Sequence, residues 1–402
     1  MSQRIDHNSF LPVYWLAVGT FVIGTEGFMI AGILPRIATD LSVPVTHAGQ
    51  LVTAFALAYG LLSPVLTAAT AALPRRTILI GSLVAFAIFN IAAAFAAGYW
   101  SLLAARVLLA MAAGLYVPGA NALAGVIVSP AQRGKAIGIV NGGLTLAIAL
   151  GVPFGTWAAN HLTWRATFGG VAMLSLLAVL GICVGVGRDV GVGIPVASLS
   201  ERFRVVGKGE IFSTLLVTFF WATGAYTVYT YLAVYLQHVT MLRGASIGIV
   251  LFVWGLSAGL GVMSGGIGTD RFGSKKVIAP CLTAGALSFV LLGTIAHSVR
   301  PDAALVPILM TVILWGVSHW AFYPAQQARL ISKGGIAVAP IALSLNASFM
   351  YLGFSTGAAT GSVVLNTVGV ANLGFVGALF VAVSLAAFLV TDTDQSVVPV
   401  AG

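Results

Sequence analysis

Apolar residues run in long stretches along this chain, separated by short polar breaks. Twelve stretches reach the length of about 20 residues that a helix needs to cross the hydrocarbon of a bilayer. They cover 12–35, 47–71, 77–97, 101–126, 136–159, 166–187, 211–236, 245–267, 276–297, 303–325, 338–364 and 370–391. Backbone facing lipid must satisfy its own hydrogen bonds, so each stretch predicts a helix and the fold class is all-α.

The longest polar break, 188–210, parts six stretches from six and divides the chain into an N-terminal half, 1–187, and a C-terminal half, 211–402. It carries Glu201, Arg202, Arg204 and Lys208, which predicts a cytoplasmic linker with a short surface helix whose basic face meets anionic headgroups. The two halves read as repeats. Arg75-Arg76 after the second stretch matches Lys275-Lys276 after the eighth, and Gly151-x-x-x-Gly155 in the fifth matches Gly353-x-x-x-Gly357 in the eleventh. Basic loops follow the fourth (Arg133, Lys135) and the tenth (Arg329, Lys333). The expected architecture is therefore a polytopic membrane protein, with twelve transmembrane helices in two pseudo-symmetric six-helix bundles around a central cavity.

Composition agrees with a membrane protein. Only 7% of residues are charged and 59% are hydrophobic, against about 25% charged in soluble domains. The 48 glycines suit close helix packing. The net charge of +9 does not point to nucleic acid, because the basic residues sit in short loops. With both termini cytoplasmic, that side holds Arg4, Arg75, Arg76, Arg133, Lys135, Arg188, Arg202, Arg204, Lys208, Arg271, Lys275, Lys276, Arg329 and Lys333. The other side holds Arg36, Arg165, Arg243 and Arg300, and this asymmetry sets the orientation. Cys183 and Cys281 lie in apolar stretches and read as free thiols. A polar start followed by a long apolar run predicts no cleaved signal.

Chemistry concentrates in a few polar residues at membrane depth. Glu26 has no other charge near it in the first stretch, and an acid there costs about 2.5–3.5 kcal/mol on insertion scales. Such a residue faces protein or water, and proton carriage suits it; a packing carboxyl satisfied by hydroxyls is the alternative. Arg106, just inside the fourth stretch, either snorkels to the interface or faces the cavity and approaches Glu26. In the seventh stretch, Tyr231 and Tyr235 read as interface-belt residues, and the deeper Trp221 and Tyr226 either as cavity candidates or as lipid-facing or core aromatics. Asn121, Asn141 and Asn346 are cavity or interhelical hydrogen-bonding groups. His319, between Ser318 and Trp320, is either a second titrating group or a packing residue. Gly255-x-Ser257-x-Gly259 matches a hydrolase nucleophile pattern, but its place inside a predicted helix makes small-residue packing the better reading. No metal-ligand spacing or phosphate loop occurs.

The run Gly265 to Lys276, with Asp270, Arg271, Gly273, Lys275 and Lys276 in register, resembles the signature loop of the major facilitator superfamily. Its first-half copy ends in Pro74-Arg75-Arg76 and lacks the usual glycine and aspartate, which resembles the twelve-span sugar-efflux and drug-efflux branch. Gly24-Thr25-Glu26-Gly27-Phe28 resembles that branch's first-span patch. Arg106 through Gly114 resembles its fourth-span pattern. Gly143 through Gly151-Val152-Pro153-Phe154-Gly155, with Trp164-Arg165 beyond, resembles its antiporter motif.

The resemblance, closest to arabinose-type sugar efflux permeases, implies proton-coupled efflux of a drug or sugar-like small molecule by alternating access. The proton gradient would be the energy source, with no cofactor and no enzyme activity. Glu26 and Arg106 would couple protons. Asp270, with Arg271, Gly273, Lys275, Lys276, Arg75, Arg76 and Arg133, would gate the cytoplasmic side, Asp270 facing the start of the fifth span near Arg133 and Gly134. Gly143, Gly151, Pro153 and Gly155 would shape a helix at the interface of the halves. A bacterial inner membrane and a functional monomer are implied. A facilitator or symporter of the same fold is the alternative, and an intramembrane serine hydrolase using Ser257 a remote one.

Overall fold

The computed structural model describes residues 10–187, 190–191, 196–335 and 338–393. Arg4, Arg188 and part of the predicted linker lie outside them. The described residues form helices and no strand. The first half contains α1 (Leu11–Asp40), α2 (Val45–Ala69), α3 (Arg75–Ala94), α4 (Tyr99–Ile127), α5 (Arg133–Leu146), α6 (Val152–His161) and α7 (Trp164–Gly185). The linker holds α8 (Leu199–Val206). The second half contains α9 (Gly209–Tyr229), α10 (Leu232–Val239), α11 (Ile247–Phe272), α12 (Ser274–Ser298), α13 (Leu305–Gly334), α14 (Ala339–Thr367) and α15 (Leu373–Thr393).

Eleven of the predicted spans are helices long and apolar enough to cross a membrane. The remaining one, 338–364, forms α14, whose 29 residues would reach about 43 Å. It falls outside that set because Ser344, Asn346, Ser348, Ser355, Thr356, Thr360 and Ser362 make it more polar. That polarity fits its place against α2 and α9, inside the bundle.

Two predicted spans are interrupted. The fifth consists of α5, a π-helical turn over Ala147–Gly151, and α6. Pro153 lacks an N–H and its ring crowds the carbonyl four residues back, so the ladder widens just before it. The seventh breaks at Thr230–Tyr231, between α9 and α10. There the Tyr231 ring lies on Gly49 of α2 and Gly361 of α14, where any Cβ would come within 2.0 Å and 2.7 Å of it. Tyr231 and Tyr235 are thus not belt residues. Both are fully buried, and their hydroxyls donate to the carbonyls of Ala358 (3.1 Å) and Leu292 (2.6 Å).

The halves show matching contacts. Gly151 and Gly155 pack on α1 at Thr25 and Met29, while Gly353 and Gly357 pack on α9 at Phe219, Ala222 and Thr223. Arg76 at the start of α3 donates to the carbonyls of Val186 (2.8 Å) and Cys183 (2.9 Å) at the end of α7, where the helix dipole favours a cation. Lys275 at the start of α12 meets Asp392 at the end of α15 (3.1 Å). Helix α8 begins with a capping box between Ser198 and Glu201, whose bonds from the Ser198 N–H and hydroxyl hold the Glu201 carboxyl below its usual range. Of its basic residues, Arg202 does not face outward as expected. It is buried and donates to Ser344 of α14 (2.8 Å), because α8 folds back onto the second half.

Candidate functional site

Glu26 and Arg106 form an ion pair in which both side chains are fully excluded from solvent. Helix packing puts them there. Gly143 lets α5 approach the Ala17 carbonyl of α1, where a Cβ would come within 2.2 Å, and Gly24 faces Leu144 and Ala147 in return. Gly151 leaves room for the Thr25 hydroxyl beside Glu26, which a Cβ would approach to 2.0 Å. Helix α4 presents Arg106 from the other side. Its Nε donates to the Leu51 carbonyl of α2 (3.3 Å), and its guanidinium lies 4.2 Å from the centre of the Phe55 ring. Arg106 therefore does not snorkel. The Oε2 atom of Glu26 and Nη2 of Arg106 make no hydrogen bond to described residues.

The pair borders a small cavity between the halves. Gly27, Phe28, Val52, Phe55 and Ala56 line it from α1 and α2, and Tyr226, Tyr351 and Phe354 from α9 and α14. Its volume is about 10 Å³, room for one water at most. Tyr226 stacks on Phe354 at 3.6 Å and Tyr351 on Tyr59 at 3.7 Å. Tyr226 was expected at the cavity. Phe28, Phe55, Tyr351 and Phe354 were not, since isolated aromatics in apolar stretches look like packing.

The other candidates disperse. Trp221 and His319 stack on each other at 3.9 Å in a ring cluster with Trp320, Phe322 and Tyr323, and are not themselves part of the lining. Asn346 accepts from Thr218 (2.7 Å), whose hydroxyl also accepts from Gln326 (3.0 Å), in a buried knot of α9, α13 and α14. Asn121 donates to Asn141 (3.3 Å) between α4 and α5, and Asn141 is exposed. Ser257 donates to the Val253 carbonyl (2.7 Å) within α11, and its flanking Gly255 packs on Ile148 and Ala149 of the π-helical turn after α5. The G-x-S-x-G pattern is helix packing.

The glycines of the antiporter motif are turned toward the first half's own core. Gly143, Gly151 and Gly155 all face α1 within the first half. The opposite face of the same span meets α11, through Thr145 at Gly259, Ile148 at Gly255 and Thr156 at Gly248. Pro153 lies on a third face, in an outer apolar groove with Leu150, Phe154, Trp157 and Phe252.

The halves are closed on one side and parted on the other. Away from the chain termini, Ser362 donates to the Thr46 carbonyl (3.3 Å), Ser355 to that of Thr53 (3.0 Å) and Tyr229 to that of Phe28 (3.0 Å). Toward the termini, the face of α5 that meets α11 continues through Gly142, Gly138 and Gly134, where an added Cβ would touch nothing. Gly266 on α11 is equally open, and Asp270 beyond it is exposed with no ion pair among the described residues. Asp270 is thus not brought to Arg133 or Gly134, because the helix ends that would clamp together are apart. Arg271 and Lys276 likewise make no ion pair among the described residues. A charged cluster that the sequence did not reveal ties the second half instead. Asp392 meets Lys275 and also Arg329 (4.0 Å), whose side chain is 3% exposed and donates to Thr391 (2.9 Å).

The sequence profile of the Major Facilitator Superfamily matches residues 16–358. The chain is 33% identical to the Uncharacterized MFS-type transporter YbcL of Bacillus subtilis, over 95% of this chain and 96% of that one. It is 29% identical to the Chloramphenicol resistance protein of Streptomyces lividans, over 93% and 94%. To the Probable sugar efflux transporter of Pasteurella multocida it is 24% identical, over 97% and 94%.

Proposed function

Because this chain belongs to the major facilitator superfamily, and is a multi-pass membrane transporter with efflux-type relatives, we propose that it exports a small molecule in exchange for protons. The observation that carries this reading is the fully buried Glu26–Arg106 pair beside the cavity between the halves. A carboxylate so enclosed is tolerated only while Arg106 neutralises it, and a proton can take the place of that partner. Protonation frees Arg106 from the pair, so proton occupancy and the packing of α1 on α4 are linked. The proton and the substrate then favour opposite orientations of the halves, which is the coupling an exchanger needs.

The open side is the cytoplasmic one in this reading, both termini lying in the cytoplasm of a bacterial cell and the monomer being the working unit. The cavity walls are aromatic and hydroxyl-bearing, and the charge pair beside it is internally neutral. These features suit an uncharged amphiphile, such as the chloramphenicol or sugar in the names of the relatives, better than a cation.

The test is uptake of labelled chloramphenicol, and separately of arabinose, into inside-out proteoliposomes with an imposed pH gradient. Gradient-dependent uptake by the wild type that Glu26→Gln loses supports exchange. Uptake that ignores the gradient would make the protein a facilitator.

A further inference from the structure

Phe28 is a side chain of the first half lodged inside the second. Its ring centre lies 6.0 Å from Trp320, 6.2 Å from Tyr229, and 6.4 Å from both Tyr226 and Phe354. Three of these four contacts are edge-on, the arrangement that aromatic quadrupoles favour. The cup comes from three helices, α9, α13 and α14, and its rim opens on the cavity beside Glu26 and Arg106, which Phe28, Tyr226 and Phe354 also line. Phe28 is 3% exposed. The cup is also not purely apolar. Trp320 is 3% exposed and its indole N–H has no acceptor among the described residues. A buried donor beside a hydrocarbon ring is poorly served, and a ring carrying an oxygen acceptor would serve it.

We propose that the cup of Tyr226, Tyr229, Trp320 and Phe354 is the subsite for an aromatic, acceptor-bearing ring of the exported molecule, and that Phe28 fills it as an internal stand-in when no substrate is bound. This rests on the export reading above. Because Phe28 lies two residues beyond Glu26 on α1, replacing it in the cup moves the helix that carries the acid. A substrate ring must compete with Phe28, so its apparent affinity is reduced by the fraction of molecules in which the cup is filled.

The experiment is calorimetric titration of the purified protein with chloramphenicol, whose nitrophenyl ring has the required chemistry, and with p-nitrotoluene as the bare ring. Phe28→Ala removes the competitor and should tighten both by about tenfold, a shift that corresponds to a cup filled roughly nine times in ten. Trp320→Phe keeps the ring, deletes the donor and should weaken both several-fold. Phe86→Ala opens an equally buried hole in α3, away from the cup, and should leave both unchanged. No binding of either probe to Phe28→Ala would overturn the proposal. So would affinities in Phe28→Ala and Trp320→Phe within twofold of the wild type, or an equal gain in Phe86→Ala. The titration uses no gradient, so intact ring binding with gradient-independent transport would count against proton exchange alone.

Discussion

Arg106 of α4 reaches Glu26 of α1 across 80 positions of sequence, and neither side chain is exposed to solvent. Removing one member of such a pair strands the other charge, whereas removing both leaves only a packing problem. Glu26→Gln is expected to destabilise the protein by about 3–5 kcal/mol, and the double replacement Glu26→Gln/Arg106→Met to recover most of that. Denaturant melts in detergent across the four-member cycle read the coupling directly. Additive single effects would mean that the pair is not a unit.

The glycines of the fifth span give a contrast within one span. Gly151→Ala places a methyl group on Thr25, and the overpacking should cost about 1–3 kcal/mol and impair transport by displacing α1 beside Glu26. Gly138→Ala meets nothing and should be neutral, or stabilising by up to about 1 kcal/mol through helix propensity. Thermal melts of the two variants compare them. Equal melting temperatures would contradict the packing described.

Parting of the halves on the termini side predicts a labelling pattern. In a background with Cys183 and Cys281 replaced, Asn141→Cys should react with a water-soluble maleimide more than about tenfold faster than Ser355→Cys, which lies where the halves are closed. Comparable rates at the two positions would place the opening elsewhere.

Asp392 faces Lys275 and the nearly buried Arg329, two of whose guanidinium nitrogens have no partner among the described residues. Asp392→Asn should therefore cost about 1–3 kcal/mol, and Asp270→Asn, at an exposed and unpaired position, within about 0.5 kcal/mol. Urea titration of the two variants separates them. A larger loss for Asp270→Asn would show that the loop acid is paired in the resting protein.

Helix positions were readable because apolar run length is a local quantity, and the bilayer demands about 20 residues per span whatever the neighbours are. The interruptions at Ala147–Gly151 and Thr230–Tyr231 were less readable. Pro153 hints at the first, but the second follows from two glycines on other helices that make room for one tyrosine ring. Asp392 could not be recognised as a tether, because its partners Lys275 and Arg329 come from two other helices.

By itself the sequence determined that this chain is a helical membrane protein, and that Glu26 lies at membrane depth and must face protein or water. Both conclusions follow from the cost of placing polar groups in hydrocarbon, which a residue incurs by its position in an apolar run. Only the tertiary structure decided that Arg106 is its partner, that the motif glycines press on α1, that Asp270 stands unclamped, and that Phe28 sits inside the opposite half. Those outcomes depend on which helix faces meet. Contact between faces is fixed by packing summed over all the helices at once, which no single stretch of sequence records.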